Sequence, residues 1–352
     1  MTGDMHAIRL DEFGGPEVLR PQRVPVPEPG PGQVLVAVAY CGVCRHDLLT
    51  RRGAFPRALR PLTLGHQVSG RVAATGSSSE GLSVGDRVMT MIYTGCGGCP
   101  PCREGTEALC AVRTAQFLGE DRDGGYAEYV LVETRATIPL PDEVGLAQAA
   151  IATCTLGTAQ HALHGRAALR AGETVVITGA GGGVGLHAVS IAKAAGAVVV
   201  GVVSGKHAAE RVRELGADEV VVDPDRRFAR EARRRLGRQA DVVLDIVGAP
   251  TLRESLHAVR PGGRVVVLGN VEGREVSIPP AYLILKEISL LGTKSCSVPE
   301  MRTVLSGLAR GELAADITGI VPLDRARAVH ERMEAGENVG RIVLEVSGEA
   351  AS

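Results

Sequence analysis

The sequence predicts an α/β protein in which a doubly wound parallel sheet is joined to a second, β-rich domain. Two observations carry that reading. From residue 142 onward, short β-branched apolar runs alternate with helix-forming stretches, whereas the earlier part is cut into short strands by frequent Gly and Pro. At the centre of the alternating part, the apolar run Thr174-Val175-Val176-Ile177-Thr178 meets the turn Gly179-Ala180-Gly181-Gly182-Gly183-Val184-Gly185, then a helix-forming run closed by Gly196 and a second apolar run over 198–203. A side chain on such a turn would hold a pyrophosphate away from the backbone N–H groups and the positive end of the helix. Gly179, Gly182 and Gly185 are spaced GxxGxxG and not GxGxxG, so the strand before and the helix after carry the nucleotide-binding reading.

Taken in order, residues 6–10 and 18–20 read as short strands that end in the proline-rich stretch 25–32, which excludes a central strand or a helix there. Residues 33–39 resume as a strand and lead into Cys41-Gly42-Val43-Cys44-Arg45-His46-Asp47; 65–72 and 85–89 are turn-and-strand units joined by the polar loop 75–83. Residues 143–163 read as a helix with a break at 154–157. Beyond the glycine unit, helices at 208–215, 228–236 and 252–259 alternate with strands at 219–222, 241–245 and 264–268, and the unit 282–286 precedes a strand at 288–291. The last fifty residues hold a helix at 299–310, a strand at 340–344 and a frayed tail at 348–352. Arg226, Arg227, Arg230, Arg233, Arg234 and Arg235 read as a solvated helix face.

A length of 352 residues suits two ordinary domains, and a net charge of −1, with basic and acidic residues nearly balanced, gives no sign of a nucleic-acid or anionic-membrane partner, so none is expected. No apolar run is long enough to cross a bilayer and the first residues lack signal-peptide shape, so a soluble cytoplasmic protein is expected. Aromatics make up 3% and Trp is absent, which predicts a substrate pocket walled by aliphatic and small residues. Eight cysteines in such a chain point to metal or redox chemistry and away from disulfides. Four of them, Cys96, Cys99, Cys102 and Cys110, stand as C-x2-C-x2-C-x7-C, with Gly and Pro supplying tight turns between them. Four thiolates fill the coordination of a zinc ion and leave no open position, so this site is expected to be structural.

The chain as a whole resembles the zinc-containing medium-chain dehydrogenase/reductase family, the alcohol dehydrogenase superfamily. The matching segments are 41–47, Gly65-His66-Gln67, Gly85-Asp86-Arg87-Val88, the four-cysteine lobe, residues 149–163 around Cys154, the glycine turn, and Val339-Gly340-Arg341-Ile342-Val343. The resemblance implies a GroES-like catalytic domain over 1–153 and 298–352, with a Rossmann dinucleotide-binding domain over 154–297 inserted in it. It implies a catalytic zinc on Cys44, His66 and Cys154, with Asp47 as the carboxylate behind a ligand. It also implies cofactor contacts from Arg45, Thr158, Gly179, Gly181, Gly182, Gly183, Val184, Gly185, Gly269, Asn270 and Arg341. A small carbonyl or alcohol substrate and a homodimer or homotetramer complete what the family implies. Cys41 and Cys296 are left over as small apolar residues.

Two positions depart from the family pattern. Gln67 stands where Glu is usual, which leaves the site more positive. His46 stands where a Ser or Thr usually passes the alcohol proton outward; an imidazole there accepts or delivers the proton, or else fills space or contacts cofactor. The segment Val203-Ser204-Gly205-Lys206-His207 carries no acid to hold a ribose, while Ser204 and Lys206 suit a 2′-phosphate, so NADP(H) is expected ahead of NAD(H). Residues 51–57, Gly269-Asn270-Val271 and 281–286 look similar to the acryloyl-CoA reductase branch, and the glycine turn resembles that of quinone reductases. These imply, as the alternative to carbonyl chemistry, NADPH-dependent reduction of a conjugated carbon–carbon double bond. A nucleotide-binding protein without turnover is the third class, and the full sets of ligands weigh against it.

Overall fold

Every residue of the strand Thr174–Thr178 is buried, which accounts for a run that is apolar throughout and does not alternate. It lies in a parallel sheet whose strand order is Glu219–Val222, Val198–Val203, Thr174–Thr178, Ala240–Asp245, Val259–Val267 and Ser289–Gly292. Numbered along the chain this is 3-2-1-4-5-6, the doubly wound Rossmann order, and the glycine turn leaves the first strand beside the point where the order reverses. The computed structural model describes residues 3–55, 57–79, 81–112 and 116–348. Pro56, Glu80 of the polar loop and residues 349–352 of the expected tail lie outside them.

The chain divides into two units, one of Met1–Cys154, Cys296–Gly311 and Ile317–Ser352, the other of Thr155–Ser295 and Glu312–Asp316. In the second unit, Val176, Val200, Val243, Val265, Phe228 and Leu256 belong to one buried cluster between sheet and helices. Asp316 is tied there by its N–H, which donates to His187 Nε2 at 2.8 Å, and by Arg211 Nε, which donates to its Oδ1 at 3.0 Å. Two buried carboxylates brace the sheet. Asp245 accepts from Thr178 Oγ1 and Thr251 Oγ1 and from the N–H groups of Val247 and Gly248, and its other oxygen accepts from Ser255 Oγ at 2.7 Å. Asp241 accepts from Thr174 N–H and Oγ1 and from Arg260 Nε.

The first unit is mostly β. Its largest sheet runs Thr137–Pro139, Arg87–Thr90, Gln67–Thr75, Gln33–Gly42, Arg341–Glu345, Ile317–Pro322, with Tyr129–Glu133 also paired to Gln33–Gly42. Leu19–Pro25, Asp4–Leu10 and Leu62–Thr63 form a second sheet, and the proline-rich stretch begins at the end of its edge strand. Val34, Val36, Val38, Leu62, Leu64, Val68 and Tyr126 share the core that backs these sheets.

Several elements differ from expectation. The helix Leu252–Ala258 stops one residue early and the next strand already starts at Val259, running through Pro261-Gly262-Gly263 with a register irregularity. The break at 154–157 is instead a π-type widening, Thr153–Gly157, in a chain that stays helical on both sides. The strand Ile317–Pro322 and the helix Ala326–Glu334 in the last fifty residues were not expected. The strand contains Gly319 and ends on Pro322, and pairing with Arg341–Glu345 holds what local propensity does not. Among the described residues no helix is long and apolar enough to cross a membrane.

Candidate functional site

The four-cysteine lobe is built almost entirely from local turns. Cys99 caps the short helix Pro100–Arg103, and Gly97 adopts φ +76° between the first two thiols. Gly95 lies so close that a Cβ there would stand 2.5 Å from Cys102 Sγ. The four sulfurs lie within 4.8 Å of one another, with Cys99 Sγ 3.4 Å from Cys102 Sγ and 3.9 Å from Cys110 Sγ. Backbone N–H groups of Cys96 and Cys99 donate to Cys110 Sγ and Cys96 Sγ at 3.4 and 3.3 Å, as suits thiolates. This donor set could hold one tetrahedral metal ion.

Three residues distant in sequence form a second cluster. Cys44 caps the helix Arg45–Arg51, His66 follows Gly65 in a left-handed turn (φ +100°), and Cys154 sits on the π-type segment. A Cβ on Gly65 would stand 2.5 Å from the Tyr126 ring, so only glycine lets this turn lie against it. The donor atoms of the three lie within 4.8 Å of one another. Two thiolates on one tetrahedral zinc with bonds of about 2.3 Å stand roughly 3.8 Å apart, and Cys44 Sγ and Cys154 Sγ are 3.8 Å apart. Behind the histidine, Nδ1 donates to Asp47 Oδ1 at 3.0 Å, leaving Nε2 for a metal. Asp47 Oδ2 accepts the Cys44 N–H at 2.7 Å, so one carboxylate orients two of the three candidate ligands.

The electrostatics of the cluster are those of a cation site. The hydrogen bond between the thiols holds Cys44 well below its ordinary value and Cys154 well above it, and Arg341 lowers both. Burial disfavours charge on His66, but Asp47 and Cys44 outweigh it and bring the imidazole up to about 10. A metal entering here would displace those protons. Arg341 is 4% exposed, and its Nη1 donates to Val43 O at 2.7 Å, so its charge lies beside the thiols.

His46 projects from the same helix. Its ring is stacked between Phe55 and Phe117, with centroids 4.4 and 4.2 Å away, and its Nε2 is 2.6 Å from Glu120 Oε2. Phe117 also lies 5.1 Å from the His66 ring and 5.1 Å from Tyr93. Aromatic side chains, scarce in the sequence as a whole, are thus concentrated beside His46 and His66. Gln67 is fully buried; its Nε2 donates to Gly42 O at 3.3 Å, and its Oε1 has no hydrogen-bond partner among the described residues.

The expected cofactor residues divide between the units. In the second, Gly179 adopts φ +61°, and Gly182 caps the helix Gly183–Ala194 without a side chain, leaving the first N–H groups open to an anion. A Cβ on Gly185 would stand 2.2 Å from Gly179 O, and one on Gly181 2.5 Å from the Ala208 Cβ. Val184 lies in the helix's first turn, and Thr158 is buried at the start of the short helix Thr158–Gln160. Ser204 and Lys206 are exposed just beyond Val198–Val203. Gly269 and Asn270 follow the strand Val259–Val267, where a Gly269 Cβ would stand 2.0 Å from Ile246 O. In the first unit, Arg45 is exposed at the start of its helix, whereas Arg341 is turned inward. Glu120, Tyr126 and His330 were not singled out from sequence; each is a single polar residue whose partner lies far along the chain.

Two protein families match the chain: the alcohol dehydrogenase GroES-like domain over residues 30–142 and the zinc-binding dehydrogenase domain over residues 183–310. An acryloyl-coenzyme A reductase of Metallosphaera sedula is 36% identical, over 90% of this chain and 93% of the relative. An NAD-dependent alcohol dehydrogenase of Sulfurisphaera tokodaii is 33% identical, over 97% of this chain and 99% of the relative. Among solved structures, that of AibC is 40% identical with a TM-score of 0.91, covering 98% of this chain and 96% of its own.

Proposed function

This chain belongs to the zinc-binding alcohol dehydrogenase family of oxidoreductases, and from that premise we propose that it interconverts an alcohol with an aldehyde or ketone, using NADP(H), one catalytic zinc and one structural zinc. The observation that carries this reading is the convergence of Cys44, His66 and Cys154 within 4.8 Å, backed by Asp47. Three protein ligands leave a position open to substrate oxygen, and four do not. When bound, the zinc supplies a Lewis acid for that oxygen and the nicotinamide gives or takes the hydride. Cys44, His66 and Cys154 hold the metal, Asp47 holds the His66 proton at Nδ1, and Arg341 offsets the charge of the thiolates. The stacked His46, with Glu120 at its Nε2, is a polar group beside His66. The glycine turn and helix N-terminus take the pyrophosphate, with Arg45, Thr158, Gly269 and Asn270 as further contacts. Cys96, Cys99, Cys102 and Cys110 hold the structural ion.

The cofactor preference is supported by Ser204 and Lys206, both exposed past a strand end that carries no acid. Lys206→Ala is expected to raise the Michaelis constant for NADPH about tenfold and leave that for NADH unchanged, in keeping with the loss of a charge-assisted phosphate contact; equal effects on both cofactors would remove Lys206 from this role. Assembly as a homodimer or homotetramer is supported by Ile284 and Leu285, 70% and 82% exposed, next to the edge strand Ser289–Gly292. Light scattering tests it.

The second reading is reduction of a double bond conjugated to a carbonyl, favoured by the 36% identity to an acryloyl-coenzyme A reductase. The deciding experiment offers zinc-quantified protein simple aldehydes and ketones in parallel with α,β-unsaturated thioesters and ketones, and identifies products by mass. Alcohol products that vanish in Cys44→Ser and His66→Ala support carbonyl chemistry. Saturated carbonyl products that survive those substitutions overturn it in favour of the second reading.

A further inference from the structure

We propose that Tyr126 and His330 are positioning residues for the metal-site histidine, acting through Asp47 in a buried hydrogen-bonded chain whose direction is set by Arg51. The inference rests on the metal reading of Cys44, His66 and Cys154. Asp47, Arg51, His66, Tyr126 and His330 are each at most 1% exposed, an unusual concentration of polar side chains away from solvent. They are contiguous. Arg51 Nη1 stands 3.4 Å from His330 Nδ1, His330 Nε2 stands 3.2 Å from Tyr126 Oη, and Tyr126 Oη stands 3.4 Å from Asp47 Oδ2. Asp47 Oδ1 then meets His66 Nδ1 at 3.0 Å.

Only one arrangement of hydrogens satisfies this chain. A guanidinium has donors and no acceptor, so His330 Nδ1 must be the accepting nitrogen and the hydrogen must lie on Nε2. That hydrogen is donated to the Tyr126 oxygen, which frees the phenol hydrogen for Asp47 Oδ2. Asp47 thus receives donors from Tyr126, Cys44 and His66 and has none to give, so it stays the acceptor and His66 keeps its hydrogen on Nδ1. The lone pair of His66 Nε2 is then presented to the metal. Burial pushes His330 down to about 4, which keeps it neutral and able to accept from Arg51. At the far end Arg51 Nη2 is paired with Glu334, which also accepts from Arg52 Nε at 3.0 Å, so the buried cation that polarises the chain is itself compensated. The helix Ala326–Glu334 supplies both His330 and Glu334, which gives this segment a part in the site that its position in the sequence does not suggest.

The test uses metal retention, which a purely packing role would not move. Tyr126→Phe keeps the ring and removes the hydroxyl. His330→Leu breaks the chain, whereas His330→Gln restores it, because the amide oxygen accepts from Arg51 and the amide nitrogen donates to Tyr126. Full-length parent and variants are loaded with zinc, challenged with a chelator, and also exchanged with cobalt for visible spectroscopy; the four-cysteine metal is the internal reference. The expected result is loss of the Cys44-site metal at least about tenfold faster in Tyr126→Phe and His330→Leu, with a shifted cobalt spectrum and near-parental behaviour in His330→Gln. Chelator resistance and cobalt spectra unchanged in Tyr126→Phe would overturn the inference even if His330→Leu does not fold. A parent that holds metal only at the four cysteines would overturn the metal reading and this inference with it.

Discussion

The two cysteine clusters use similar atoms in opposite ways. Cys96, Cys99, Cys102 and Cys110 come from one short segment, are partly exposed apart from Cys102, and are organised by turns and backbone N–H groups. Cys44, His66 and Cys154 come from a helix cap, a glycine turn and a π-type helical segment, with Cys44 and Cys154 110 residues apart, and are organised by buried side chains. A locally built site asks little of the fold, and a site assembled across the fold needs its partners held by polar groups that have no access to water. The proposed roles follow that difference: closed and structural in the lobe, open and catalytic in the cluster.

The largest effect that would break the comparison is at the assembled cluster. Cys44→Ser or His66→Ala is expected to lower turnover by about a thousandfold or more, since several kcal/mol of charge stabilisation would be lost. Cys99→Ser in the lobe should instead release the lobe metal and lower the melting temperature, on the order of 10 °C, while turnover per loaded catalytic site changes by less than about threefold. Equal losses of turnover in the two variants would erase the distinction between the sites.

Asp241 offers a long-range polar cluster with no metal ligands as a reference. Burial raises its carboxyl, but Arg260 and Thr174 outweigh burial and bring it down to about 2. Because the folded value lies below the unfolded one, the stabilisation is complete above about pH 4 and is lost as pH falls towards 2. Asp241→Asn is therefore expected to cost about 2 kcal/mol at neutral pH, with the gap from the parent closing in acid; a gap independent of pH would assign the cost to packing alone.

The smallest effect sharpens the assembled site. Gln67→Glu places a carboxylate at a buried position whose amide oxygen is unpartnered, and turnover is expected to change by a few fold, about 1 kcal/mol. Unchanged turnover would remove Gln67 from the chemistry.

The features that spacing and composition reveal by themselves share one property: their geometry is local. The glycine turn needs a preceding strand and a following helix, both adjacent in the chain, and the lobe cysteines need only short turns. Cys44, His66 and Cys154 stand out as a ligand set only through the family resemblance, since residues so far apart in the chain have no spacing that marks them as ligands. Glu120 is 74 residues from His46 and His330 is 204 residues from Tyr126, and neither has a spacing that announces a partner. The strand Ile317–Pro322 escaped for the same reason, as its parallel pairing with Arg341–Glu345 supplies the stability that its glycine and proline withhold.

By itself the amino-acid order determined the two-part α/β architecture, the phosphate-ready glycine turn and the four-thiol lobe, because periodicity and turn chemistry act over a few residues. Tertiary structure alone decided that His46 is pinned between two phenylalanines, that Arg341 turns inward beside the thiols, and that Arg51, His330 and Tyr126 form a buried hydrogen-bonded chain ending on Asp47. Those outcomes depend on which distant groups are brought together out of water, and a buried donor or acceptor takes its role from the partners that the fold leaves it.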